Sequence, residues 1–257
     1  MYRGKRVGVV VPAYNEELHI GAVLAGMPDY VDGVYVIDDC STDRTREIAG
    51  QWVFPDSRVQ LMSHARNQGV GAAIVSGYRR CLADGIDIAV VMAGDNQMDP
   101  QLLPALMDPV VEGRAGYCKG TRMAVRGHHQ GMTCWRLIGN SLLRWLTAVA
   151  IGNTRITDPQ NGYTAVSRQA LEKLDLGAVY PGYGYCNDLL TRLAILNVRP
   201  VEIPSPLIVN PGQTSSICYG SYIRSVSILL LCCLLLRVRA SMLRLVTADS
   251  HFYGAEP

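Results

Sequence analysis

The chain has 257 residues, of which 49% are hydrophobic and 18% charged, with a formal net charge of +2. That composition supports a sizeable core and excludes wholesale disorder, and the small net charge, with no Lys/Arg-rich arm, argues against a nucleic-acid partner. The 8 cysteines are scattered without a CxxC pair, which reads as reduced thiols rather than a disulfide framework.

The basic N-terminus, residues 1–6, is followed by only a short strand-like run, so it does not read as a signal peptide. Residues 7–11 form a β-branched run, the pattern of a strand buried on both faces. Pro12-Ala13-Tyr14-Asn15-Glu16-Glu17 turns into a helix whose apolar residues Ile20, Val23, Leu24 and Met27 share one face. A second strand, residues 34–37, ends in Asp38-Asp39-Cys40-Ser41-Thr42-Asp43. There Ser41 or Thr42 is positioned to cap the next helix and Asp43 to suit its positive end.

A third strand is expected at residues 59–62. The helix after it begins with Asn67-Gln68-Gly69-Val70-Gly71-Ala72-Ala73, whose small residues allow close approach. A dinucleotide fingerprint there is set aside, because the third glycine and the following acidic residue are missing.

A fourth apolar run ends in Ala93-Gly94-Asp95-Asn96-Gln97-Met98-Asp99-Pro100. Pro100 suits the first position of a helix, with Asp99 as its N-cap. Asp95 and Gln97 supply hard oxygen ligands, which suit Mg²⁺ or Mn²⁺ held mainly by a substrate diphosphate. The alternative is a plain strand-to-helix turn with Asp95 solvated. Strand alternating with helix up to this point predicts a parallel sheet, whose ligands sit beyond the carboxyl ends of the strands. Three such ends carry polar residues: Tyr14 to Glu16, Asp38 with Asp39, and Asp95 to Gln97. Core packing needs no such repetition.

A further strand at residues 115–119 ends at Gly120-Thr121-Arg122, and residues 128–131 read as a loop. His128, His129 and Cys134 lack a fourth ligand at a sensible spacing, so no zinc site is assigned. Trp135, Ile138, Leu142, Trp145, Leu146 and Val149 recur at helical spacing, with Arg136, Asn140 and Arg144 opposite. Such a helix, residues 133–150, either packs on the sheet or lies at a membrane interface.

Asp158-Pro159-Gln160-Asn161-Gly162-Tyr163 turns into a strand at residues 163–166. A Gly- and Tyr-rich stretch leads to Cys186-Asn187-Asp188, and Asp188 either starts a helix or faces a site. The last strand is expected at residues 199–204. Residues 223–246 are apolar, punctuated by arginines. Their strongest run, residues 228–236, is about half the length of a spanning helix. The tail from His251 reads as disordered.

Taken together, Val-Pro-Ala-Tyr-Asn-Glu-Glu, Val-Ile-Asp-Asp-Cys-Ser-Thr-Asp-Arg-Thr, Gly-Asp-Asn-Gln-Met-Asp-Pro, Asp158 to Tyr163 and Tyr183 to Asp188 resemble the family-2 glycosyltransferases. The nearest group in pattern is the polyprenyl-phosphate sugar synthases, similar to dolichyl-phosphate mannosyltransferases. The resemblance implies an α/β fold of GT-A type over residues 1–212, with a Rossmann-like, mostly parallel sheet flanked by helices. It also implies an amphipathic interface helix and a membrane-associated C-terminal helix and tail at residues 213–257. Pro12, Tyr14, Glu16 and Asp39 would hold the nucleotide, and Asp95 and Gln97 a Mg²⁺ or Mn²⁺ ion. Ala93 stands where the family has a first metal aspartate. Arg122 and Arg136 match the positions that bind an acceptor phosphate.

The implied reaction is inverting transfer of a sugar from GDP-mannose or a UDP-hexose to a polyprenyl or dolichyl phosphate. It would take place at the cytoplasmic face of the cell membrane, by a peripheral or monotopic protein. Asp95, Arg122 and Asp188 are the candidate catalytic residues. If the acceptor is instead a sugar hydroxyl on a polysaccharide or glycolipid, Asp188 becomes the natural base. A nucleotidyltransferase would carry a Gly- and Lys-rich N-terminal loop, which is missing. A non-catalytic nucleotide-sugar or lipid binder is suggested by Ala93 and opposed by the intact Asp39, Asp95, Gln97 and Asp188.

Overall fold

The computed structural model describes residues 1–54, 56–123, 144–152, 156–206, 208 and 219–253, with side chains over 225–242 in the last of these. Among these residues seven strands form one sheet: β1 (Val7–Ala13), β2 (Gly33–Asp38), β3 (Val59–Ser63), β4 (Ile88–Val91), β5 (Tyr117–Thr121), β6 (Thr164–Ser167) and β7 (Pro200–Pro204). Their order is β3-β2-β1-β4-β6-β5-β7. β1 pairs in parallel with β2 and β4, β2 with β3, and β5 with β7. β6 alone is reversed, wedged antiparallel between β4 and β5. Six carboxyl ends therefore share one edge with the amino end of β6, which is the edge that ligands use in such sheets.

The helices are α1 (Ile20–Ala25), α2 (Thr45–Gly50), α3 (Val70–Ala83), α4 (Leu103–Val111), α5 (residues 144–151), α6 (Arg168–Lys173), α7 (Tyr185–Ile195) and α8 (Tyr219–Tyr253). All seven residues of β1 are buried, because alternate side chains enter different cores. Val10 joins Tyr35, Ile37, Ala89 and Val91 under α3, α6 and α7. Val7, Val9 and Val11 join Val34, Val36, Ile88 and Val90 under α1 and α4. A sheet covered on both faces accounts for the unbroken apolar runs in the sequence.

Several local expectations meet the structure directly. Asp99 caps the turn starting at Pro100, its side chain accepting from the Gln101 amide at 2.9 Å. Neither Ser41 nor Thr42 caps α2. The Ser41 hydroxyl accepts from the Asn15 amide at 3.0 Å, and the Thr42 amide donates to the Asn15 side chain at 2.8 Å, so both stitch the β2 loop to the β1 loop. Asp43 serves α2 instead, accepting from the Thr45 amide at 2.9 Å.

The C-terminal expectation is corrected in two respects. α8 is a single helix of 35 residues that continues to Tyr253, so residues 251–253 are helical. Its stretch Ser225–Met242 is long and apolar enough, by length and composition, to cross a membrane. Counting only residues 228–236 missed this, because the flanking Ser, Val and Met residues extend the apolar run past single arginines. The loop at 128–131, the set-aside zinc residues, Trp135 and Arg136 lie outside the described residues.

Candidate active site

At the end of β1, the Glu16 amide donates to the Thr45 hydroxyl at 2.6 Å and the Asn15 backbone takes a left-handed turn at φ 56. Pro12 is buried, and its carbonyl accepts from the Gly94 amide at 3.1 Å, which ties the β1 end to the β4 loop. Tyr14 is exposed beyond it.

Asp39 follows β2 and is buried. Its carboxylate accepts from the amides of Gln68 at 2.9 Å and Gly69 at 2.7 Å, and pairs with His64 Nδ1 at 2.6 Å. His64 Nε2 in turn meets the Ser76 hydroxyl at 2.9 Å on α3. The carboxylate thus joins β2, the end of β3 and the start of α3. It also explains the small residues there. A Cβ on Gly71 would come 2.8 Å from Tyr185 Cβ and run into the Tyr180 carbonyl, so α3 begins against the backbone before α7. The Gly69-Val70-Gly71 step packs protein on protein.

Asp95 follows β4. Its side chain accepts from the Gln97 amide at 3.1 Å. Burial pushes its carboxyl above the ordinary range, while the Gln97 amide and nearby His19 pull the other way. Glu16 is pushed up to about 7, first by burial and then by the charges of Asp95 and Asp43. The Gln97 carbonyl accepts from the Ile208 amide at 3.0 Å, so the chain leaving β7 closes over this loop.

Beyond β5, Arg122 forks onto buried Asp158, with Nε at 2.6 Å from one carboxylate oxygen and Nη2 at 2.7 Å from the other. Burial works to raise the Asp158 carboxyl, but the Arg122 guanidinium and Lys119 hold it below the ordinary range. Lys119 is itself fully buried, with burial lowering its pKa, and donates to the Asp158 carbonyl. Glu202 of β7 accepts from the amides of Thr157 at 2.8 Å and Asp158 at 3.1 Å. Arg122 is therefore anchored at the strand edge by a network of alternating charge.

Asp188 lies in the first turn of α7, 2% exposed. Its Oδ2 accepts from the Tyr180 amide and from Arg192 Nε, each at 2.8 Å. The carboxylate pins the Gly- and Tyr-rich stretch to α7. Of the residues singled out from sequence, the structure gathers Tyr14, Glu16, Asp39, Asp95, Gln97 and Arg122 along one strand edge, with Asp188 at the α7 start. His64, Lys119 and Glu202 were not anticipated. A lysine inside a strand of five buried residues, and a lone histidine after β3, carry no spacing signal.

Residues 8–175 match glycosyl transferase family 2, and the chain belongs to that family of enzymes. The sheet with its flanking helices is the GT-A-like fold. The chain is 34% identical over 211 residues to a polyprenol monophosphomannose synthase of Mycolicibacterium smegmatis, across 78% of this chain and 76% of that one. It is 27% identical over 214 residues to a UDP-N-acetylglucosamine–dolichyl-phosphate N-acetylglucosaminyltransferase of Methanococcus voltae, across 77% of this chain and 85% of that one. Among solved structures, glucosyl-3-phosphoglycerate synthase of Mycobacterium tuberculosis with Mn2+, uridine diphosphate and glucosyl-3-phosphoglycerate matches with a TM-score of 0.61 at 25% identity. That match covers 91% of this chain and 80% of the other.

Among the described residues no cluster of three or more His, Cys, Asp or Glu side chains could hold a metal. A dedicated protein cage is therefore not what the β4 loop builds. One carboxylate, one amide oxygen and a substrate diphosphate is a fitting set for Mg²⁺ or Mn²⁺, which keep waters and share ligands with phosphates. Two carboxyls pushed upward in one corner, Asp95 and Glu16, also form a deficit that a cation offsets.

Proposed function

We propose that the chain transfers a hexose from a nucleoside diphosphate to a polyprenyl phosphate at a membrane surface, with inversion at the anomeric carbon. An oxygen of the acceptor phosphate forms the new bond to that carbon, the bond to the donor's β-phosphate breaks, and the nucleoside diphosphate leaves. Pro12, Tyr14, Glu16 and Asp39 form the nucleotide end of the site. Asp95 and Gln97 would hold Mg²⁺ or Mn²⁺, which supplies Lewis-acid stabilisation of the charge on the leaving group. Arg122, fixed by Asp158, receives the acceptor phosphate, and Arg136 would extend that site from outside the described residues.

The observation that carries this reading is the state of Asp188. A base for a sugar hydroxyl has to take a proton from it. Asp188 is buried, ion-paired with Arg192 and bonded to the Tyr180 amide. A phosphate monoester is already an anion near neutral pH and needs positioning rather than a base.

The membrane end of the reading rests on two apolar surfaces. On α5 Trp145, Leu146 and Val149 are exposed, and on α8 Ile228, Leu231, Leu235 and Met242. Val226, Leu229, Leu230 and Cys233 pack inward with Ala150, so the two helices hold these surfaces together. In this reading residues 1–212 are the catalytic unit and 213–257 the membrane-associated segment, seated on the cytoplasmic leaflet, and the two exposed apolar surfaces support its contact with a bilayer.

The test incubates membranes carrying the protein with a panel of labelled nucleotide sugars and polyprenyl phosphate. Label in the lipid extract, released by mild acid as free sugar, is the expected result. Label only on saccharide hydroxyls would move the reading to a chain-extending transferase, and no turnover of any donor would end the catalytic reading.

A further inference from the structure

α8 runs alongside α7 in the same direction. Leu229 lies against Gly184 at the start of α7, and Arg237 lies over Gly152 at the end of α5. Near the last turn of α7, at the sheet edge opposite the strand carboxyl ends, these elements leave a cavity of about 540 Å³. Its walls include Ile151, Ile195 and Ala240, and its polar lining includes Arg199, Arg237 and Ser241.

Two helices end here, and their carbonyls would make the cavity negative if left open. Both ends are closed internally. In α7, the Val198 amide donates to the Leu193 carbonyl at 2.9 Å and the Asn197 amide to the Ala194 carbonyl at 3.1 Å. In α5, Arg237 Nη1 donates to the Val149 carbonyl at 2.7 Å and the Ala150 carbonyl at 3.3 Å. Among the described residues no acidic side chain lines the cavity and exposed Arg199 makes no ion pair. The charged groups they bring to the cavity are two guanidiniums.

The position selects among anions. The cavity adjoins Ala240 and Ser241, at the end of the apolar stretch Ser225–Met242. With α8 lying along the bilayer surface on its exposed Ile228, Leu231, Leu235 and Met242, a basic pocket at the end of that stretch lies at the level of the lipid headgroups. Its volume falls in the range of pockets that enclose a small organic ligand and exceeds what a bare phosphate fills. The apolar walls suit the glycerol and first methylenes.

We infer that this cavity binds the phosphate headgroup of an anionic membrane phospholipid, at a site separate from the acceptor site. Arg199 and Arg237 grip the phosphate, and Ser241 adds a hydroxyl donor. Binding there fixes the depth of α8 and, through Leu229 and Gly184, the stretch that Asp188 pins.

The test is native mass spectrometry of the full chain released from detergent with equal phosphatidylglycerol and phosphatidylcholine. Wild type should retain phosphatidylglycerol preferentially, and Arg199→Gln should reduce that retention about tenfold, as expected for one charge-assisted contact. Arg239→Gln, exposed on α8 and outside the cavity, should leave it unchanged. Undiminished retention in Arg199→Gln, equal loss in both variants, or displacement by equimolar inorganic phosphate would each overturn the assignment. The readout requires no turnover, so a failure of the sugar-transfer reading leaves it intact.

Discussion

Two corners of the strand edge present an aspartate just past a buried strand, and they have opposite fates. Asp39 after β2 gathers two backbone amides and His64. Asp95 after β4 receives the Gln97 amide, and burial drives its carboxyl upward. The difference lies in the helix that follows. The chain entering α3 turns its Gln68 and Gly69 amides back toward Asp39. The helix after β4 starts with a proline, which has no amide, and its first donor goes to Asp99. A strand-end aspartate serves the fold where nearby amides converge on it. Where burial outweighs the donors around it, as at Asp95, the carboxyl is pushed upward and a cation offsets that.

The largest effect is expected at a carboxylate of the first kind. Asp158→Asn leaves Arg122 without its charge partner and should cost about 3 kcal/mol of stability, read from urea midpoints. The wild-type carboxyl sits below its ordinary value of 3.8 when folded. Its contribution is therefore complete above the unfolded pKa and lost as pH falls through the folded one, so the gap between wild type and variant should begin to narrow below about pH 4 and close below the folded pKa. A gap that persists at lower pH would mean the ion pair is not the source.

Asp39→Asn comes next. It should cost about 2 kcal/mol, because an amide cannot accept from all three donors, and it should raise the donor KM. An unchanged thermal midpoint would remove Asp39 from the structural group. The smallest effect is expected from Ala93→Asp, which adds a second carboxylate beside Asp95. Mn²⁺ affinity, followed by titration, should rise about fivefold with an unchanged fold. No change would show that the β4 loop does not face the ion.

Much of this was legible in the sequence. Unbroken β-branched runs pointed to the sheet, the Asp99-Pro100 step to its cap, and polar residues at three strand ends to the edge where the site is proposed. Roles that depend on distant partners were not legible. Nothing in Asp188 itself says that Arg192 and the Tyr180 amide will occupy it. Nothing in Tyr-Cys-Lys-Gly-Thr says that Lys119 will be buried against the Asp158 carbonyl. Arg122 was marked as a phosphate ligand, but its fork onto Asp158 depends on the reversed strand β6, and local pattern does not announce a reversal. α8 was underestimated because an unbroken apolar count stops at each arginine, while a helix carries isolated arginines on one side of an apolar stretch.

In the proposed reaction Asp95 acts on the leaving diphosphate and not on the fold. That role is tested by Asp95→Asn, with thermal midpoint and turnover measured on the same preparation at limiting Mn²⁺. The account predicts an unchanged midpoint and a loss of turnover of at least about a hundredfold, the scale of one electrostatic contact to developing charge. Near-wild-type turnover in that variant would contradict it.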